Sequence, residues 1–238
     1  MQRLDKILSN LGYGTRSELK KIIKKGAITV NGVTVKDSSM KVDPENDIIK
    51  VNGEQIFYRE FIYIMMNKPA GVISATHDNR DDTVVDLLEV DHQAFDPFPV
   101  GRLDKDTVGL LFLTNDGDLN HRLISPKWGV DKVYYAKIDK EVTEKDVEEF
   151  KNGITLDDGY LCKEAKLEIL SASEEGSEIH VTIHEGKFHQ VKRMFEAVGK
   201  EVVYLQRIEF GGIPLDEELE EGEYRELTEE ELAHLKSF

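Results

Sequence analysis

The chain has a single cysteine, one tryptophan and six prolines in 238 residues. One thiol cannot close an internal disulfide, so no disulfide framework supports the fold. Cys162 lies between Leu161 and Lys163 in a strand-like stretch with no basic partner nearby, and reads as a packing residue rather than a nucleophile. No apolar run approaches about 18 residues and the amino terminus lacks an apolar signal segment, so neither a membrane span nor export is indicated. A cytoplasmic protein is the expectation. Metal patterns are scarce too: the acidic turn Asn115-Asp116-Gly117 has its glycine and ligands at the wrong spacing for a calcium loop. Neither a metal nor a cofactor is expected.

Positive charge is also in short supply. The formal net charge of −16 argues against a polyanionic partner, because like charges repel over about a Debye length, roughly 8 Å in physiological salt. The distribution changes that inference. Residues 1–60 hold 11 Lys and Arg against 8 Asp and Glu, whereas residues 214–238 carry 10 acidic and 2 basic side chains. Nucleic-acid binding through one face of the amino-terminal part is compatible with both.

Leu4, Ile7, Leu8 and Leu11 recur at helical spacing, and Gly12 ends that helix. Thr15 followed by Glu18 is a capping-box pattern that opens a second helix to about Lys25, closed by Gly26. Its outer face shows Arg16, Lys20, Lys21, Lys24 and Lys25. A solvated face is the ordinary fate of a charge run, but charges of nearly one sign repel along a helix unless something negative uses them. Arg3 and Lys6 add to the same basic start. Asn31-Gly32 and Asn52-Gly53, each between β-prone runs, are strong hairpin signals. A compact module over 1–56, a link at 57–60 and a larger domain over 61–238 follow.

The larger domain opens with a strand at Phe61–Met66, and Asn67-Lys68-Pro69-Ala70-Gly71 turns out of it. Residues 74–99 read as a long polar loop with one short helix near Val84–Leu88. Gly101-Arg102-Leu103-Asp104-Lys105-Asp106-Thr107-Val108-Gly109 then runs into the apolar strand Leu110–Thr114, which places a carboxylate at the rim of a core. Asp118 is a candidate cap for a helix to Ile124. Further strands are expected at Lys132–Ile138, Leu161–Leu170, Ile179–Ile183, Val202–Leu205 and Ile208–Phe210, with a helix from Thr143 to about Lys151. Between them, Glu185 to Met194 crosses a glycine turn into another helix, and its His189, Gln190, Lys192 and Arg193 near a helix start suit an anion or a base. Leu227, Leu232 and Leu235 keep helical spacing, so the acidic tail should pack.

These stretches together resemble the bacterial ribosomal-RNA pseudouridine synthases of the small-subunit (RsuA-like) type. Residues 1–55 look like an S4-type RNA-binding module. The remainder shows Asn67-Lys68-Pro69-Ala70-Gly71, Gly101-Arg102-Leu103-Asp104 with Thr107 and Gly109, Lys132 with Tyr134, and His189-Gln190-Val191-Lys192-Arg193-Met194, in the family's order. A lone Gly-Arg-Leu-Asp is a weak signal; four motifs in order behind such a module are a strong one.

The resemblance implies an α+β fold, with a small α/β module ahead of a mainly antiparallel sheet flanked by helices. It implies a cofactor-independent isomerase that converts a uridine of 16S ribosomal RNA, within an assembling small subunit, to its C-glycoside, acting as a monomer. Asp104 matches the essential aspartate, Tyr134 the tyrosine that stacks on the base, and Lys192 the cation that pairs with the aspartate; Arg193 adjoins it. Arg102 resembles the side chain that fills the gap left by the flipped nucleotide, and the cations of residues 1–25, with His189, Gln190 and Arg193, are expected RNA contacts. Three competing readings stand beside this one. They are a large-subunit RNA substrate, a non-catalytic ribosome-binding protein in which Asp104 only shapes a loop, and a hydrolase built on Asp104 and Asp106.

Overall fold

The computed structural model describes residues 1–44 and 46–238, which divide into two compact units, Met1–Phe61 and Ile62–Phe238. In the first, β1 (Gln2–Arg3), α1 (Leu4–Asn10) and α2 (Arg16–Lys24) precede β2 (Ile28–Val30), β3 (Val33–Thr34), β4 (Lys41–Val42), β5 (Ile49–Val51) and β6 (Glu54–Ile56). The helix pair exists because its apolar stripes need a partner. Leu4, Ile7 and Leu8 pack with Leu19 and Ile23 on Ile28, Val30, Ile49 and Val51 of the antiparallel sheet β3-β2-β5-β6. The capping box forms, with Thr15 N donating to Glu18 Oε2 at 2.8 Å. In both hairpins the two central residues have positive φ, Asn31 at 50° and Gly32 at 80°, Asn52 at 51° and Gly53 at 90°, as the tight Asn-Gly turn demands. Residues 57–60 are more than a link: Tyr58 is buried in this core, its hydroxyl taking a bond from Asn10 Nδ2 at 2.7 Å.

The second unit runs β7 (Tyr63–Lys68), α3 (Val90–Gln93), β8 (Phe98–Pro99), β9 (Val108–Thr114), α4 (Gly117–Ile124), β10 (Lys132–Ile138) and α5 (Glu144–Asn152). It continues through β11 (Lys166–Ser173), β12 (Gly176–Ile183), α6 (Gln190–Ala197), β13 (Val202–Phe210), β14 (Ile213–Pro214), β15 (Tyr224–Glu226) and α7 (Glu229–Lys236). One sheet in the order β11-β12-β10-β13-β9-β7-β15 carries them, with β14 on β13 and β8 on β9. Every ladder in it is antiparallel except β13 with β9. The architecture is α+β.

All seven residues of β9 are buried because both faces of the sheet are covered there. Leu111 and Leu113 join Tyr134, Ala136, Val181 and Leu205 in a core closed by Phe150 of α5 and Phe195 of α6, whose rings lie 4.8 Å apart. Leu110 and Phe112 face the other way, onto Phe210, Leu119 and Leu123 of α4, and Leu235 of α7. The acidic tail therefore packs, through its leucines.

Four expectations need correction. No helix forms at Val84–Leu88: Asp86 turns back to accept from Thr83 N at 2.8 Å, and a single helical turn, α3, comes later. Asp116, not Asp118, caps α4, its Oδ1 accepting from Leu119 N at 3.0 Å. The stretches Val202–Leu205 and Ile208–Phe210 are one strand, continuous because both halves pair with β10 across register shifts. Leu161–Ala165 is not strand; β11 begins at Lys166, where pairing with Thr182 starts. Among the described residues no helix is long and apolar enough to cross a membrane.

Candidate active site

Asp104 sits on the loop that leads into β9, and three separate anchors hold that loop. Ser74 Oγ donates to Leu103 O at 2.9 Å and accepts from Leu103 N at 3.0 Å, so both polar groups of the residue before Asp104 are fixed by one buried hydroxyl. Gly71 N donates to Lys105 O at 2.8 Å. The fully buried Lys68 donates to Thr107 O at 3.0 Å and to Pro69 O at 2.9 Å; burial pushes its ammonium down to about 8, against the pull of Asp106 and Asp104. Loop backbone satisfied in this way has little freedom left, which pre-organises the carboxylate. Nothing in the sequence pairs Ser74 with Leu103, because they lie 29 residues apart.

Two side chains from the α6 end reach Asp104. Lys192 Nζ is 3.5 Å from its Oδ2, and His189 Nε2 is 3.5 Å from its Oδ1. The shorter bond of Lys192 goes elsewhere, to Asp106 Oδ1 at 2.6 Å, and it holds the Asp106 carboxyl below the usual range. His189 adopts a left-handed backbone, φ 48°, at the start of α6, and its ring stacks on the exposed Phe188 at 3.7 Å between centroids. A non-glycine residue in that region is strained, as functional loops often are.

Tyr134 reaches the same place from β10, and a cavity of about 790 Å³ is lined by Arg102, Asp104, Lys132, Tyr134, Phe188 and His189 among others. That volume is right for a nucleotide. Its floor holds two residues to which the sequence had assigned no task. Lys132, 7% exposed, lies over the Phe210 ring at 5.0 Å. Arg207, 2% exposed, donates from Nε to Leu110 O at 2.7 Å and lies over the same ring at 4.7 Å.

Other expected contacts are placed differently. Arg193 turns away from the cavity to pair with Asp157 and, at 2.7 Å, with Asp158, so Lys192 rather than Arg193 neighbours Asp104. Gln190 is buried: its amide donates to Glu185 Oε1 and accepts from Lys187 N, each at 2.9 Å, and it shapes the turn instead of facing a ligand. In the first unit Arg3 is paired with the buried Asp5 at 2.6 Å and Lys6 with Glu60 at 3.1 Å. Arg16, Lys20, Lys21, Lys24 and Lys25 form no ion pair among the described residues, and all five are exposed. Among the described residues no cluster of three potential ligands could hold a metal ion.

The chain is similar to known proteins over nearly its whole length. Residues 62–197 match the model of a family described as RNA pseudouridylate synthase, and residues 2–49 match that of the S4 domain. The uncharacterized RNA pseudouridine synthase YtzG of Bacillus subtilis is 52% identical over 97% of this chain and 96% of its own length. The ribosomal small subunit pseudouridine synthase A of Vibrio cholerae is 42% identical over 98% and 99%, and the ribosomal large subunit pseudouridine synthase B of Bacillus subtilis 39% over 100% and 96%. A crystal structure of a pseudouridylate synthase superposes with a TM-score of 0.69 at 40% identity, covering 99% of this chain and all of the other.

Proposed function

The chain belongs to the RNA pseudouridylate synthase family, and from that premise we propose that its substrate is a single uridine of 16S ribosomal RNA, presented within an assembling small subunit. The observation that carries the uridine-isomerase reading is the cavity shared by Asp104, His189 and Tyr134, with Asp104 on a loop pinned by Ser74, Gly71 and Lys68 and with Lys192 3.5 Å from its carboxylate. The reaction requires N1–C1′ of the nucleoside to break, the uracil to rotate and C5 to bond to C1′; C5 loses a proton and N1 gains one, so atoms and charge balance. Asp104 serves either by attacking C1′ or by assisting departure of the uracil to a glycal-like intermediate. Lys192 sets a positive charge 3.5 Å from its carboxylate. Tyr134 stacks on the uracil and is placed to take a proton. The target leaves its helix first, at a cost of a few kcal/mol, and Arg102 fills its place.

The alternative substrate is large-subunit RNA, supported by a relative with that name that aligns over the whole chain. Carbodiimide mapping by reverse transcription, run on both subunit RNAs and on assembling particles, decides between them. A new stop confined to 16S RNA is expected; a stop confined to 23S RNA reverses the assignment, and stops on neither remove the substrate altogether.

The unpaired face of α2 is the proposed phosphate-binding surface of the first unit. Changing Lys20, Lys21, Lys24 and Lys25 to glutamine is expected to weaken RNA binding uniformly across sequences. The slope of log K against log salt should fall by about 0.7–0.9 for each phosphate that the variant no longer neutralises. An unchanged slope would show that the face is merely solvated.

A further inference from the structure

The cavity floor holds more positive charge than the reaction at Asp104 needs. Lys132 and Tyr134 share one face of β10, two residues apart, hence about 7 Å along the strand. Across the β10–β13 ladder Arg207 lies opposite Tyr134 and Phe210 opposite Lys132. The four side chains form one patch. Within it two cations stand side by side, and no carboxylate accepts from either among the described residues. The ammonium of Lys132 donates to Val130 O at 2.7 Å. The Nη2 of Arg207 has no hydrogen-bond partner among the described residues. The nearest acid, Asp131, gives its own short contact, 2.6 Å, to His184.

Such an arrangement is costly. Burial and the charge of Arg207 together push Lys132 down to about 8, with Asp131 opposing, and burial pushes Arg207 down, opposed by the Tyr134 hydroxyl. Adjacent buried like charges with unmet donors are destabilising unless an anion answers them. The neighbouring Phe210 face compensates in part. What remains is a pair of adjacent cations lining the cavity beside Tyr134, with no carboxylate partner among the described residues.

We propose that Lys132 and Arg207 form an anion subsite on the cavity floor that takes the phosphodiester attached to the flipped nucleotide, so that the site grips the backbone beside the base as well as the base. The proposal rests on reading the cavity as the uridine pocket. A phosphate there has a second use: it fixes the sugar while the uracil is detached and turning, and so keeps C1′ beside Asp104. Lys132 takes the outer, adjustable contact; Arg207 stays beneath and supplies charge.

The test is a binding titration that does not depend on turnover. Uridine, the 5′-methylphosphate diester of uridine and inorganic phosphate are titrated into the full chain and into its Lys132→Gln and Lys132→Arg variants, followed by amide chemical shifts. The diester is expected to bind about tenfold more tightly than uridine, an advantage equal to one charge-assisted hydrogen bond. Lys132→Gln should abolish that advantage without weakening uridine, and Lys132→Arg should retain most of it. In the parent chain the advantage should fade as the pH rises through about 8, where Lys132 gives up its proton. Because a desolvated charge has been removed, Lys132→Gln should melt no lower than the parent. Equal binding of diester and uridine overturns the proposal, as does an undiminished advantage in Lys132→Gln. Binding of inorganic phosphate without the diester also overturns it, since the RNA backbone would then not be the source. None of these results bears on whether uridine is isomerised, which the mapping experiment settles independently.

Discussion

Asp104→Asn is expected to lower the isomerisation rate at saturating RNA by more than about 10⁴-fold while leaving RNA affinity within a factor of about two. The size of the effect follows from the geometry. An amide cannot attack C1′ or offset positive charge developing there, and removal of a covalent nucleophile is the kind of change that costs several orders of magnitude in turnover. Fit is preserved, since asparagine has nearly the same shape and the loop is held by bonds to Leu103, Lys105 and Thr107, none of which involves the Asp104 side chain. Single-turnover rates with the RNA identified by carbodiimide mapping separate kcat from affinity. A variant retaining a tenth of the parent rate would exclude Asp104 as the reacting group. Loss of affinity without loss of rate would mean that it binds rather than reacts.

Gly109→Ala should destabilise the larger unit by more than about 4 kcal/mol, or prevent its folding. Gly109 has φ +99°, a conformation that L side chains rarely adopt, and a Cβ there would lie 2.3 Å from Arg207 O, 2.9 Å from Arg207 N and 2.8 Å from Gln206 Cγ. Two of those three atoms are backbone and cannot swing aside. Moving them would break the parallel pairing of Gly109 with Arg207 and of Val108 with Gln206, through which β9 joins the sheet on that side. Overpacking in a close-packed interior costs about 1–3 kcal/mol, and strained backbone adds about as much again. A 4 kcal/mol loss lowers the melting temperature of a unit this size by roughly 10 °C. Gly117→Ala is the control: Gly117 opens α4 without positive φ, a Cβ there meets nothing within 4 Å, and the substitution should be neutral or stabilise by up to about 1 kcal/mol. Urea midpoints of the two variants check both. Equal midpoints would show that the β9–β13 approach has more slack than its distances indicate.

Gly109 and Arg207 also show where reading a sequence stops. Gly109 is visible as part of a motif, but its reason is not, because the atoms that forbid a side chain lie about a hundred residues away on β13. Arg207 stood unremarked between strand residues, and the missing signal was physical: nothing local distinguishes a buried, half-satisfied guanidinium from a surface one. Ser74 is the same case in a polar loop. Lys192 and Arg193 are adjacent, and helix periodicity could not choose between them; the acids opposite each did, Asp104 and Asp106 for one, Asp157 and Asp158 for the other.

What the chain declared by itself was local or periodic, though the Val84–Leu88 helix and the Asp118 cap show that not every local signal held. Apolar stripes at helical spacing, the Thr15–Glu18 capping box and the two Asn-Gly turns were legible because such signals depend on residues only a few positions apart, and the order of the motifs carried the family resemblance that implied an α+β fold and an RNA-modifying isomerase. Tertiary structure alone decided the rest. It joined two halves of β13 into one strand through pairing with β10, pinned the Asp104 loop from Ser74, Gly71 and Lys68, sent Lys192 to Asp104 and Asp106 and Arg193 to Asp157 and Asp158, and set Lys132 beside Arg207. Each of these is a contact between distant segments, fixed by burial and by the requirement that buried polar groups find partners. Neither constraint is written in the order of neighbouring residues.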